Sequence, residues 1–358
     1  MSAANVAESI DPIPFNRPFV TGDEAPLIAV AVSERRFSGD GRFTAEASQL
    51  LREITGAQRA FLTTSCTHAL EIAALLIDVG PGDEVIMPSF TFVSTANAFV
   101  LRRAKPVFVD IRADTLNIDE RLIEQAVTPR TKAIVVVHYA GIACEMDVIS
   151  DIALRHGLVV VEDNAHGLGA QFRGRQLGTL GSLATLSFHE TKNMHCGEGG
   201  ALLVNDASYI ARAEVLREKG TNRSRFFRGE VDKYTWIDQG SSYLPSEVLA
   251  AFLTAQLRSF DVVQQRRMHV WLRYENELSD HAARQGWILP YVPPHVTHPA
   301  HLFWIEVQDL EERQRLLAHM RTQDIHAVFH YVPLHSSPMG RQFGDADLPN
   351  TESTSERL

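Results

Sequence analysis

Between residues 47 and 205 the apolar positions follow two alternating patterns. ASQLLREITG, THALEIAALLIDV, STANAFVLRR, ERLIEQAV and MDVISDIALRHG repeat apolar residues at helical spacing. Between them lie AFLTTS, DEVIMPSF, PVFVDI, TKAIVVVHYAG and LVVVED, which are short apolar runs. Runs such as IVVV and LVVV do not alternate with polar residues. They suit strands buried on both faces, as in a parallel sheet covered by helices. The succession predicts an α/β fold with a large, mostly parallel sheet.

The pattern changes near Ser246. Leu249, Leu253, Leu257 and Phe260, then Met268, Trp271, Tyr274 and Leu278, predict one long helix. After Trp287, AHLFWIEV, ERQRLLAHMRTQ and IHAVFHYVP read as strand, helix, strand. The expected organisation is a polar tail over 1–12 and a large domain over 13–245. A connecting helix over 246–285 and a small α+β domain over 286–358 follow. The length of 358 residues fits about two domains.

Charge and cysteine content narrow the function classes. A net charge of -10 argues against a nucleic-acid partner, which needs a basic face. An anionic small molecule can still enter a locally basic pocket. Three unpaired-looking cysteines, Cys66, Cys144 and Cys196, fit a reducing compartment. No apolar run is long enough to span a membrane, and MSAANVAESIDPIPFN has no apolar leader core. The expectation is a cytoplasmic protein.

Open α/β sheets bind ligands at the carboxyl ends of their strands. After AFLT comes Thr64-Ser65-Cys66-Thr67, opening a helix whose free N–H groups suit a phosphate; taken alone, the same residues read first as a plain Ser/Thr N-cap. After LVVV comes Glu162-Asp163, able to pair a cationic ring nitrogen, bind a metal, act as a base or cap a turn. SFHETKN carries Lys192, either a surface lysine or an amine for Schiff-base chemistry. GEGG at 197–200 leads into ALLVN and reads as a turn. His189, His195 and Cys196 are zinc-ligand types, but no second cluster has matching spacing. The dinucleotide fingerprint and the P-loop are absent.

In this order, SCTHAL, MPSFTFVSTANAF, VVEDNAHG, SFHETKN and GEGGALLVN resemble the DegT/DnrJ/EryC1/StrS sugar aminotransferase family. The resemblance runs from IPFNRP to FHYVPLHSSP and implies fold type I of the pyridoxal-phosphate enzymes. The segments REKGTNRS, FFRG, VDKYTW and GSSYL resemble one branch of it. That branch aminates C4 of a dTDP-linked 4-keto-6-deoxy sugar, with L-glutamate as donor, in enterobacterial common antigen synthesis.

The resemblance implies roles residue by residue. Lys192 would hold pyridoxal 5'-phosphate and move the proton. Asp163 would keep the pyridine nitrogen protonated by charge pairing. Phe92 would stack on the ring and His166 would lie beside it. The N–H groups of Cys66 and Thr67, with the Ser187 hydroxyl, would hold the phosphate. Ser242 would reach it from the other subunit of a homodimer with shared sites. His330, Tyr331, Asn222 and Arg223 would face the substrate, with His335 a weaker candidate. Some relatives are dehydratases with His in place of the lysine, so Lys192 favours amino transfer. Relatives also continue beyond the position of Leu358, which implies a shortened small domain. The remaining alternatives are another nucleotide-linked keto sugar as substrate and a non-catalytic, truncated homologue.

Overall fold

A computed structural model describes residues 11–358. All but Asp11 and Pro12 of the expected polar tail therefore lies outside the described residues. The main sheet contains seven strands: β1 (Arg59–Thr63), β2 (Glu84–Pro88), β3 (Lys105–Val109), β4 (Thr131–Val137), β5 (Val159–Asp163), β8 (Leu183–Ser187) and β9 (Gly200–Val204). A small sheet joins β6 (Gln171–Phe172), β7 (Arg175–Gln176) and β10 (Val296–Thr297). The order in the main sheet is β1-β9-β8-β5-β4-β2-β3. Only β9 runs against its neighbours, β1 and β8; every other pairing is parallel. The central strands β2, β4 and β5 are almost wholly buried, as their unbroken apolar runs require.

Helices cover both faces. In chain order they are α1 (Glu24–Ser33), α2 (Arg42–Thr55), α3 (Cys66–Leu76), α4 (Val93–Val100), α5 (Glu120–Ile123), α6 (Met146–His156), α7 (Ile210–Arg217), α8 (Arg223–Phe227), α9 (Glu247–Arg258), α10 (Phe260–Gln285), α11 (Leu310–Thr322) and α12 (Pro349–Arg357). One core packs α3 and α4 on the sheet through Leu70, Ile72 and Phe99. Phe43, Leu51, Ala250 and Leu253 join α2 and α9 in a second, and α6 adds Ile149 and Ile152 to a third. Helix α2 starts at Gly41, which has no capping side chain. The buried Glu247 carboxylate caps it from a distance, accepting from the N–H groups of Gly41, Phe43 and Thr44.

Two expectations need correction. The single helix over 246–285 is two helices, α9 and α10, divided at Ser259 (φ -101°, ψ 17°). Apolar spacing passes through the break because both helices present the same kind of face. The strands expected in AHLFWIEV and IHAVFHYVP do not form; only isolated bridges join Ile288 to Glu306 and Ile13 to Ile325. Side chains, not a neighbouring strand, take the first three carbonyls of the first segment and the one before it. Asn193 donates to Pro299 O, Arg267 to Ala300 O and His301 O, and Trp271 to Leu302 O. No described helix is long and apolar enough to cross a membrane.

Candidate active site

The carboxyl ends of β1, β4, β5 and β8 open into a cavity of about 1080 Å³, walled on its far side by α10, α11 and the 300–305 and 325–331 segments. Strand β5 ends on Glu162-Asp163, and alternation sends the two carboxylates to opposite faces. Asp163 lines the cavity. Glu162 is wholly buried on the other side, accepting from Gly178 N (2.8 Å), Leu180 N (2.7 Å) and Gly181 N (2.6 Å) and bonded to His138 Nε2 (2.9 Å). Burial pushes the Glu162 carboxyl up, but His138 and these N–H groups more than offset it and hold it below the usual range. Its stabilisation is therefore complete above the ordinary glutamate range, roughly pH 4.3, and is lost as pH falls through the lowered value. Glu162→Gln removes the charge and turns an amide N–H₂ toward at least one backbone N–H donor, whichever oxygen it replaces. We expect a loss of about 3–5 kcal/mol, read as a lower urea midpoint at neutral pH.

Asp163 accepts from Thr95 Oγ1 at 2.7 Å and Ala165 N at 3.3 Å. Burial raises its carboxyl above the usual range, against the pull of Thr95, Ala165 and Lys192. Lys192 reaches the same cavity from the turn after β8. Among the described residues its Nζ has neither an ion pair nor a hydrogen bond. Burial lowers its amine below the ordinary lysine value, opposed in part by Cys66 and Asp163. More of the amine is consequently uncharged and nucleophilic at neutral pH.

Helix α3 opens beside them. Ser65 is its N-cap and accepts from His68 N at 3.1 Å. The next two N–H groups, of Cys66 and Thr67, have no intrahelical acceptor. Opposite, Gly200 pairs with Thr63 and Ser187 across β9. A Cβ on Gly200 would lie 2.4 Å from Cys66 N and 2.3 Å from Ser65 C. The GEGG segment is thus more than a turn: its last glycine leaves room for the α3 start. Ser187 lines the same space, and Phe92, the exposed N-cap of α4, borders it. An amine, an opposed carboxylate, free N–H donors at a helix start, a hydroxyl and an aromatic face fit pyridoxal phosphate.

His166, His330 and Tyr331 also line the cavity. His330 stacks on Tyr331 with centroids 4.3 Å apart, and its Nδ1 lies 3.0 Å from the Tyr139 hydroxyl. Burial, with Lys192 adding to it, lowers the His330 imidazole to about 4. Other expected residues lie elsewhere. Ser242 is exposed and bridges to Glu218. Asn222 Oδ1 accepts from Thr235 N, and Arg223 pairs with Glu218 at 2.6 Å. None of the three lines this chain's own cavity. His335 is a buried structural histidine between Ser89 Oγ (2.7 Å) and Glu352 (3.2 Å). The zinc-type residues are also dispersed: His195 meets Phe19 O and Cys196 meets Glu198 O. No group of three His, Cys, Asp or Glu is arranged to hold a metal among the described residues.

Sequence reading missed Thr95, Tyr139, Asn193, Arg267 and His301. Thr95 lies in a segment that carried the resemblance and Tyr139 at the end of the strand segment TKAIVVVHYAG, but their partners are 68 and 191 residues away. His301 and Arg267 carry no local signal.

Comparison with known proteins agrees with this geometry. The DegT/DnrJ/EryC1/StrS aminotransferase family matches residues 22–358. The uncharacterized protein MJ1066 of Methanocaldococcus jannaschii is 36% identical over 326 residues, covering 88% of this chain and 84% of that protein. Spr1654 of Streptococcus pneumoniae in its PLP form superposes with a TM-score of 0.88 at 26% identity, covering 97% of this chain and 92% of that one. DesI, solved in the presence of its TDP-sugar product, superposes with a TM-score of 0.87 at 28% identity, covering 98% and 87%. The chain belongs to the DegT/DnrJ/EryC1/StrS aminotransferase family and is a pyridoxal-phosphate-dependent enzyme.

Proposed function

We propose that the chain transfers the amino group of L-glutamate to C4 of dTDP-4-dehydro-6-deoxy-D-glucose, as a dTDP-4-amino-4,6-dideoxygalactose transaminase of enterobacterial common antigen synthesis. The observation that carries the reading is the setting of Lys192 and Asp163 in a basic cavity of an acidic protein. Arg17, Arg266 and Arg267 line that cavity. Unlike most arginines of the chain, none of the three has an ion pair among the described residues. An anionic substrate would supply the missing carboxylate or phosphate charges. The likeness to DesI, solved with a TDP-sugar, supports a nucleotide-linked one.

When bound, pyridoxal phosphate supplies a carbonyl that condenses with amines and a cationic ring that accepts the electron pair left on the substrate carbon. Lys192 would hold the cofactor through its amine and would carry a proton to and from the reacting carbons. Asp163, oriented by Thr95, holds the ring nitrogen charged. Cys66 N, Thr67 N and the Ser187 hydroxyl hold the phosphate, and Phe92 covers the ring. His166 borders the ring, while His330 and Tyr331 contact the sugar. Ser242, Asn222 and Arg223 serve the cavity of a second copy. The exposure of Phe227, Tyr234, Trp236 and Ile237 beside them supports burial against that copy.

The test is turnover of purified protein with L-glutamate and a panel of nucleotide-linked keto sugars. The expected result is 2-oxoglutarate in step with one amino sugar, aminated at C4 by NMR. Turnover on other sugars alone would overturn the substrate but keep the reaction class. No turnover on any would favour a non-catalytic, binding role.

A further inference from the structure

His166 and His301 form a stacked pair in the cavity wall, with centroids 4.3 Å apart and planes 27° from parallel. Each ring is fixed at Nδ1, and the two bonds have opposite sense. Asn193, next to Lys192 in sequence, donates through Nδ2 to Pro299 O (2.7 Å) and Gln264 Oε1 (2.9 Å). Its amide orientation is therefore set, and its Oδ1 faces His301 Nδ1 at 2.9 Å as an acceptor. His301 must carry its proton on Nδ1. On the other ring, the Ala140 N–H donates to His166 Nδ1 at 3.2 Å, so a neutral His166 carries its proton on Nε2.

The backbone is shaped to hold this arrangement. Ala140 has φ 56° and Ala300 has φ 50°, left-handed conformations that cost a non-glycine residue about 1 kcal/mol or more. Between them Gly141 (φ 81°) packs so closely that a Cβ would lie 2.4 Å from Pro299 and 2.7 Å from His166 O. Arg267 grips the same strap through Ala300 O and His301 O.

We propose that Asn193 is a positioning residue that fixes His301 as the Nδ1–H tautomer. The stacked pair is then neutral and presents one Nε2–H donor, on His166, and one Nε2 lone pair, on His301, beside Lys192. The inference rests on the proposed role of Lys192 as the reacting amine. A charge on either ring would oppose the positive charge that Lys192 takes up whenever it carries a proton. The titratable and charged groups facing the pair are Lys192, Arg267 and His330, with Asp163 across the cavity. Burial, Lys192 and His330 keep both imidazoles well below their ordinary proton affinity, and Arg267 adds to this at His301.

Two measurements test this. The first is the long-range ¹H–¹⁵N correlation of histidine-labelled full-length protein, assigned with His166→Gln and His301→Gln. His301 should show the Nδ1–H pattern and His166 the Nε2–H pattern. The reverse assignment, or a mixture of tautomers at His301, would overturn the proposal whether or not the protein transaminates. The second uses Asn193→Asp, which places a carboxylate against His301 Nδ1 and favours the imidazolium. The acid limb of kcat/KM should move up by a unit or more, a tenfold or greater change in proton affinity, and Asn193→Asp combined with His301→Gln should abolish the shift. A folded Asn193→Asp protein with an unmoved limb, or a shift that survives His301→Gln, would overturn it. If Asn193→Asp does not fold, the tautomer spectra decide alone.

Discussion

Lys192→Ala protein should fold, bind cofactor without a covalent link, and lose steady-state turnover by about 10²–10⁴-fold, the range for a positioned proton-transfer group. The effect is large because two functions sit on one amine. Lys192 is the cavity's lysine, and burial keeps its amine lower in proton affinity than an ordinary lysine. Alanine removes both the nucleophile and the proton carrier. Stability should change little, since Nζ has no bonded partner to lose among the described residues. Visible absorbance of the loaded protein, dialysis and a turnover count check the claim together. The lysine-linked absorption band should be missing, the cofactor should dialyse away faster, and turnover should collapse. Sustained turnover at the wild-type rate would remove Lys192 from the mechanism.

Asp163→Asn should keep the shape of the site and lose its charge. The amide can still bond Thr95, but it cannot pair with a protonated ring nitrogen. An opposite charge at short range is worth about 1–3 pKa units to such a group. Its loss leaves the ring nitrogen largely unprotonated at neutral pH, and the rate should fall about 10- to 1000-fold. Cofactor content should stay near that of the wild type, because the N–H groups of Cys66 and Thr67 and the Ser187 hydroxyl are untouched. A fall in rate with unchanged cofactor content separates this residue from the phosphate-holding ones. Equal loss of rate and cofactor would mean that Asp163 acts only in retention. Asp163→Asn also removes a buried carboxyl whose charge is disfavoured by burial, so the cofactor-free protein should be no less stable than the wild type at neutral pH.

Much of this was written locally in the chain. The apolar runs at 134–137 and 158–161 are strands buried on both faces, and their lack of alternation says so without any tertiary information. Ser65 was legible as a helix start because an N-cap and the N–H that donates to it are three residues apart. The resemblance then gathered Cys66, Thr67, Phe92, Asp163, His166, Ser187, Lys192, His330 and Tyr331, and all nine line one cavity. The same reading placed Ser242, Asn222 and Arg223 around an active site, but they lie away from the cavity of their own chain.

Sequence alone determined the α/β class, the sheet's apolar strands, the start of α3 and the order of the chemical segments. Each depends on residues within one or two turns of one another, where periodicity and capping act. Tertiary structure decided which of two adjacent carboxylates faces the cavity, since β5 alternation needs a known inside and outside. It decided that 300–307 is a strap and not a strand, because Arg267 and Trp271 take the carbonyls at 300–302 that a neighbouring strand would otherwise take. It also split 246–285 at Ser259, a break that apolar spacing does not register. These outcomes depend on partners tens to hundreds of residues apart. Local spacing carries no information about such partners, and only the packed chain brings them within hydrogen-bonding distance.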